Sequence, residues 1–252
     1  MFELTGKKAI VTGASSGLGV QFALALARQG ADVALLARRL DRLEAVKAQI
    51  MALGRQCLAI KCDVSVETEV QAAVAQVNQA FGRIDILANN AGVSAIAPAE
   101  QMTEADWDKV IDIDLKAVWL MAKHVGQYMI NQGYGKIINT SSIFGLVGNS
   151  SFPVVAYHAA KFGVVGLTKA LAGEWAKHNI TVNAIGPGFF DSEMTHAVIE
   201  TPDFNQYVAA GCPMKRIGRE GELDGAMIYF ASDASSYTTG QIIAVDGGWT
   251  SI

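Results

Sequence analysis

Cysteine is scarce in this chain of 252 residues, with only Cys57, Cys62 and Cys212, and an odd set without metal-ligand spacing builds no disulfide framework. Proline numbers five, and no Gly/Ser-rich linker or internal repeat divides the sequence, so one domain over residues 1–252 is expected. Charge is thin: Asp, Glu, Lys and Arg make up 17%, with 24 acidic against 20 basic side chains and a net charge of −4. With a pI near 5.6, the chain lacks the cationic excess that nucleic acid or an anionic membrane surface requires. No apolar run approaches the ~20 residues that span a bilayer. The opening MFELTGKK has no apolar stretch of the secretory kind. His124, His158, His178 and His196 show no ligand spacing, so no metal is expected. The expectation is a soluble, cytoplasmic globular protein.

Apolar residues, by contrast, are plentiful at 51%, which together with the low net charge excludes disorder. A domain of this length can bury roughly 70–75% of its unfolded surface. Short apolar runs alternate with longer amphipathic ones. Strands are expected at 8–12, 31–37, 57–62, 84–88, 136–140, 181–185 and 241–245. Helices are expected at 18–29, 39–53, 67–81, 103–112, 115–131 and 157–178. Strands apolar throughout are covered on both faces, as in a parallel sheet. Repeated β-α units predict an α/β fold, a doubly wound parallel sheet of Rossmann type, with its ligand crevice at the strand C-terminal ends.

The first strand runs into Thr12-Gly13-Ala14-Ser15-Ser16-Gly17-Leu18-Gly19, which opens a helix. Glycines permit positive φ and close backbone approach, and a helix N-terminus offers free N–H groups to a pyrophosphate. Gly13, Ser15, Ser16, Gly17, Leu18 and Gly19 are therefore candidate cofactor-binding residues, although a purely structural turn would use the same glycines. The second strand ends in Ala37-Arg38-Arg39, with no carboxylate before Asp41 to accept the ribose 2′-hydroxyl of NAD. A guanidinium clamps phosphate bidentately, so Arg38, assisted by Arg39, predicts NADP(H) over NAD(H). Solvated positions at a helix start are the plain alternative. Asp63-Val64, after the third strand, can meet adenine, or Asp63 or Ser65 can merely cap the next helix. Asn90 and Gly92, in Asn89-Asn90-Ala91-Gly92, suit a backbone lying against ribose, or an ordinary turn.

Tyr157-His158-Ala159-Ala160-Lys161 puts a phenol and an ammonium four residues apart on one helix face. A free tyrosine titrates near 10, and a neighbouring cation favours its ionised form. Alone, the pair reads as a surface contact. Thr140-Ser141-Ser142, ending the fifth strand, adds hydroxyls at the same crevice.

With these motifs in this order, the sequence resembles the short-chain dehydrogenase/reductase family over essentially its whole length. The carriers are TGASSGLG at 12–19, NNAG at 89–92, Ser142, YHAAK at 157–161, NAIGPGFFDSEMT at 183–195 and VDGGW at 245–249. The resemblance implies that Tyr157 exchanges a proton with the substrate oxygen, that Ser142 polarises that oxygen, and that Lys161 lowers the tyrosine pKa and holds the nicotinamide ribose. It also implies that Pro187, Gly188 and Ser192 surround the nicotinamide, Ser192 replacing a frequent threonine. Two departures stand out. Asp114 occupies the position of a usual catalytic asparagine, where it either serves through its main-chain carbonyl or forms a structural contact in a helix bend. Ser142 and Tyr157 lie fifteen positions apart, about two more than is common in the family, and the extra length falls in 149–155 and predicts a longer pocket lip. The family also implies a homotetramer or homodimer, built on helices around 103–131 and 155–178.

Substrate is expected to be set by 94–98, 143–148, 152–155 and 189–207, which contain no Lys or Arg and many apolar side chains. That predicts a bulky apolar ketone or alcohol of the hydroxysteroid kind. The alternatives are a sugar acid, since MFELTGK, IDIDL and NAIGPGFF resemble gluconate 5-dehydrogenases, and a 3-oxoacyl thioester. A non-catalytic dinucleotide sensor is the remote alternative.

Overall fold

The structure, a computed structural model, describes residues 2–149 and 151–252; Ser150, within the inserted stretch 149–155, lies outside the described residues. Among the described residues seven strands form: β1 (Lys8–Thr12), β2 (Asp32–Ala37), β3 (Cys57–Lys61), β4 (Ile86–Asn89), β5 (Gly135–Thr140), β6 (Ile180–Pro187) and β7 (Ile242–Val245). They pair in parallel throughout, in the order β3-β2-β1-β4-β5-β6-β7. Their bounds differ from the expected ones by at most two residues. The order reverses between β1 and β4, and that is where an open α/β sheet leaves a crevice beyond its strand C-termini.

Pleating sends alternate side chains to opposite faces, and both faces are covered. Ala9 and Val11 of β1, with Val33 and Leu35 of β2, join one core beside Phe22, Leu26 and Phe230. Ile10, Ala34 and Leu36 join the other, beside Val70, Val74, Leu120 and Trp175. Helices α1 (Gly17–Arg28) and α9 (Asp224–Ala231) supply the first layer, and α3 (Glu67–Phe81), α5 (Ala117–Gln132) and α6 (Val155–Trp175) the second. Helix α2 (Leu40–Ala52) flanks the first core through Leu43, Val46 and Ile50.

Two expected helices prove to be one interrupted helix. Helix α4 (Glu104–Ile111) passes through a π-helical turn, Asp112–Lys116, directly into α5. A π-turn carries an extra residue, which re-aims one side chain; here Asp114 turns fully inward while its neighbours Asp112 and Lys116 pair at the surface at 3.1 Å. Helices α7 (His196–Ile199) and α8 (Pro202–Gly211) shape the segment after β6, where no helix is expected from periodicity. Among the described residues no helix is long and apolar enough to cross a membrane. All three cysteines are free and buried, and burial pushes the Cys57 and Cys62 thiols up to about 12, so neither is a thiolate at neutral pH.

Candidate active site

A cleft of about 390 Å³ opens at the switch between β1 and β4. Its floor begins with the glycine turn. Gly13 has φ +65°, and a Cβ there would stand 2.8 Å from the Ala91 Cα, so only glycine lets the two loops meet. Thr12 ties them: its Oγ1 accepts from the Asn90 and Ala91 amides at 2.9 and 3.1 Å, and the Asn90 Nδ2 donates to the Thr12 carbonyl at 3.2 Å. Ser16, the N-cap of α1, does not cap the helix with its side chain, so the first-turn N–H groups remain available to an anion. Gly13, Ser15, Ser16, Gly17 and Leu18 line the cleft. Gly19 does not. A Cβ there would lie 2.3 Å from the Gly13 carbonyl oxygen, so this glycine closes the turn against its helix.

Arg38, Arg39, Asp63, Val64, Asn90 and Gly92 line the same cleft. The two arginines differ. Arg38 is exposed and makes no ion pair among the described residues, whereas Arg39 donates to Ser15 and Ser16, each at 3.0 Å, and to both carboxylate oxygens of Glu193. Asp63 accepts from the Ser65 amide and hydroxyl at 3.0 and 2.6 Å, forming a turn ahead of α3. Burial works against its charge, but the Ser65 hydrogen bonds hold its carboxyl below the usual range.

At the opposite end of the cleft Ser142, Tyr157 and Lys161 converge, with Pro187, Gly188 and Ser192 across from them. Ser142 sits in extended backbone just past β5, its hydroxyl accepting from the Phe144 amide at 3.2 Å. Lys161 is buried, with its Nζ 5.3 Å from the Tyr157 ring centroid, donating to the Thr140 carbonyl at 3.1 Å and paired with the Asp114 Oδ2 at 3.1 Å. Asp114 also accepts from the Val93 amide at 2.7 Å through Oδ1. Gly92 leaves room for this pair, since a Cβ there would lie 2.9 Å from the Asp114 Oδ2. Asp114 itself does not line the cleft and reaches it only through Lys161 and the loop after β4.

The electrostatics run against simple expectation. Burial pushes the Tyr157 phenol above its ordinary pKa; the Lys161 cation pulls it down, and the Asp114 carboxylate pushes it up again. Burial also disfavours the Lys161 charge, yet Asp114 and Tyr157 together outweigh it and hold the ammonium above its ordinary value. Lys161 therefore acts in the predicted direction on Tyr157 without prevailing, because burial opposes it most and the Asp114 carboxylate, which an asparagine would not supply, opposes it further.

A family model described as "Enoyl-(Acyl carrier protein) reductase" matches residues 13–250, covering the glycine turn, the Tyr-Lys pair and the segment after β6. The chain belongs to the short-chain dehydrogenase/reductase family. Among its relatives in this oxidoreductase family, gluconate 5-dehydrogenase of Gluconobacter oxydans (strain 621H) is 36% identical over 250 residues, covering 99% of this chain and 97% of that one. The 3-oxoacyl-(acyl-carrier-protein) reductase FabG of Staphylococcus epidermidis is 41% identical over 243 residues, covering 96% and 98%. A crystal structure of a gluconate 5-dehydrogenase from Burkholderia cenocepacia J2315 in complex with NADP and tartrate superposes with a TM-score of 0.95 at 33% identity, covering 100% of this chain and 98% of that one.

The apolar lips divide between packing and the cleft. Ile143, Phe144 and Val154 are buried in a cluster against the partly buried Phe152, Tyr157, Phe189 and Trp249, whereas Phe190 lines the cleft and Ile96 is exposed. Phe189, Phe204, Tyr207 and Trp249 stack edge-on or tilted at 5.1–6.5 Å between centroids, so the segment after β6 spends three of its aromatics on its own core. In the inserted stretch, the Asn149 side chain accepts from the Ser151 amide at 2.8 Å and donates to the Phe152 carbonyl at 2.8 Å, seating Phe152 against Tyr207. Residues that sequence reasoning overlooked include Glu193, the Thr140 carbonyl and the Val93 amide. Glu193 meets partners more than 150 positions away, and no local pattern announces that.

Proposed function

We propose that the protein is an NADP(H)-dependent oxidoreductase that interconverts a ketone and a secondary alcohol on a sugar acid of the gluconate type. The observation that carries the reaction is the convergence of Ser142, Tyr157 and Lys161 on one wall of the cleft whose other end is the glycine turn. The residues present fit a dinucleotide: free first-turn amides of α1 for the pyrophosphate, the unpaired Arg38 for a 2′-phosphate, and Gly13 and Gly92 where a Cβ would intrude. When bound, NADP(H) supplies or accepts the hydride. Tyr157 donates its proton to the carbonyl oxygen in reduction and recovers one in oxidation. Ser142 donates a hydrogen bond to the same oxygen, where negative charge develops. Lys161 anchors the ribose and steadies the phenolate left behind. Burial keeps Tyr157 protonated at neutral pH, which suits the reductive direction.

Two lines support the sugar acid over the bulky apolar ketone. Relatives named for gluconate match end to end, and Ile143, Phe144 and Val154, among the apolar groups that favoured a steroid-like body, are buried by packing. A second reading, a 3-oxoacyl thioester, is supported by the 41% identity to the Staphylococcus epidermidis reductase. A homotetramer or homodimer is the assembly proposed, on the exposed faces of α4, α5 and α6. NADPH consumption with 5-keto-D-gluconate, a 3-oxoacyl thioester and a steroid ketone tests the reading. The highest kcat/KM is expected with the keto acid; a thioester preference transfers the assignment, and NADPH binding without turnover of any carbonyl makes the protein a sensor.

A further inference from the structure

The end of β2 carries no carboxylate, yet one stands beside it. Glu193, from the segment after β6, reaches back over the glycine turn and seats both carboxylate oxygens on the Arg39 guanidinium, at 2.8 Å (Oε1 to Nη1) and 2.7 Å (Oε2 to Nη2). Ser16 donates its hydroxyl to Oε2 at 2.8 Å, and Arg42 donates to Oε1. The approach is close along the backbone as well, for a Cβ on Gly17 would lie 3.3 Å from that of Ser192. Arg39, Ser15 and Ser16 line the adenosine end of the cleft together with Arg38 and Asp63. Planar guanidinium and hydroxyl donors around a two-oxygen anion form the same array that recognises a phosphate.

We infer that Glu193 is a cofactor-selecting residue: its carboxylate competes with the 2′-phosphate of NADP(H) for Arg39 and Ser16. The inference rests on the NADP(H) reading given above. Two anions in one guanidinium fork repel each other, so the phosphate gains Arg39 only by displacing Glu193, while Arg38 is open to it from the start. NAD(H) meets the opposite situation. Its ribose 2′-hydroxyl can donate to a carboxylate, the interaction that an acidic residue at the end of β2 provides in NAD-binding folds. Glu193 supplies that acceptor from a distant segment and thereby narrows the preference for NADP(H). The Arg39 hydrogen bonds, against a small cost of burial, lower the Glu193 carboxyl to about 2, so it remains an anion across the working pH range.

Titration calorimetry on the full-length protein and on Glu193→Gln and Glu193→Ala, with NADPH, NADH, 2′,5′-ADP and 5′-AMP as ligands, tests this. Both variants should bind NADPH and 2′,5′-ADP about two- to tenfold more tightly, the range for a partly exposed bidentate pair, while NADH and 5′-AMP are unchanged or weaker. An unchanged NADPH-to-NADH affinity ratio overturns the inference. Weaker NADPH binding also overturns it, making Glu193 a clasp over bound cofactor instead of a competitor. Failure of the cofactor reading looks different: the unaltered protein would then show no preference for 2′,5′-ADP over 5′-AMP, and Arg38→Asp would not affect either.

Discussion

Tyr157 and Asp114 sit on either side of one ammonium, and that arrangement sets the acid–base behaviour of the site. Tyr157→Phe keeps the ring and removes the proton, so turnover should fall by about 10²–10⁴-fold while NADPH binding, followed by its fluorescence, persists; near-native turnover would remove Tyr157 as the proton donor. Asp114→Asn should stay active with its pH profile displaced. The carboxylate raises the Tyr157 pKa, so its removal lowers that pKa. Reduction requires the protonated phenol, and its alkaline limb should therefore move to lower pH; oxidation requires the phenolate and should rise earlier. A limb that stays in place would show that Asp114 acts only by holding the Val93 amide. Arg38→Asp should weaken NADPH binding far more than NADH binding, because it removes the unpaired guanidinium and adds an acceptor for a 2′-hydroxyl. Equal losses would leave Arg38 without a role in selection.

Among the elements, the π-turn and the segment after β6 do the most to build the site. Had α4 and α5 formed one regular helix, the extra residue that turns Asp114 inward would be lost. The segment with α7 and α8 owes its shape to Phe152, whose ring meets Tyr207 at 5.1 Å and Phe189 at 6.3 Å. Phe152→Ala should therefore cost about 1–3 kcal/mol in denaturant unfolding and raise KM more than it lowers kcat, since it loosens the substrate side and leaves Ser142, Tyr157 and Lys161 in place. Unchanged unfolding and KM would mean that the inserted stretch is not coupled to the segment. The strands and the long helices were legible from apolar runs and amphipathic periods because burial on two faces dictates composition directly. Helices α7 and α8 were not, for their apolar residues answer to an aromatic cluster gathered from four parts of the chain.

For the whole molecule, the sheet order decides where the cleft opens, and the outer helices carry the surface on which self-association is proposed. Trp107 on α4, Trp119 on α5 and Phe162 on α6 are 38%, 44% and 46% exposed, a large apolar display for a protein with few charges. Light scattering coupled to size exclusion should return a tetramer or dimer, and Phe162→Asp should shift the mass downward; a monomer in both would assign that face to something other than self-association.

Taken alone, the order of residues determined the parallel sheet and the glycine turn before α1, which follow from apolar runs and short-range spacing, while the grouping of Ser142, Tyr157 and Lys161 in one crevice was legible through the motifs that resemble the family. Tertiary structure alone decided which hydroxyls, charges and rings are already engaged. It assigned Gly19 to packing and Ile143, Phe144 and Val154 to a core, set Asp114 against Lys161, and set Glu193 on the fork that Arg39 offers. Those outcomes are competitions between distant groups for one partner, and contact between groups far apart along the chain leaves no periodicity to read.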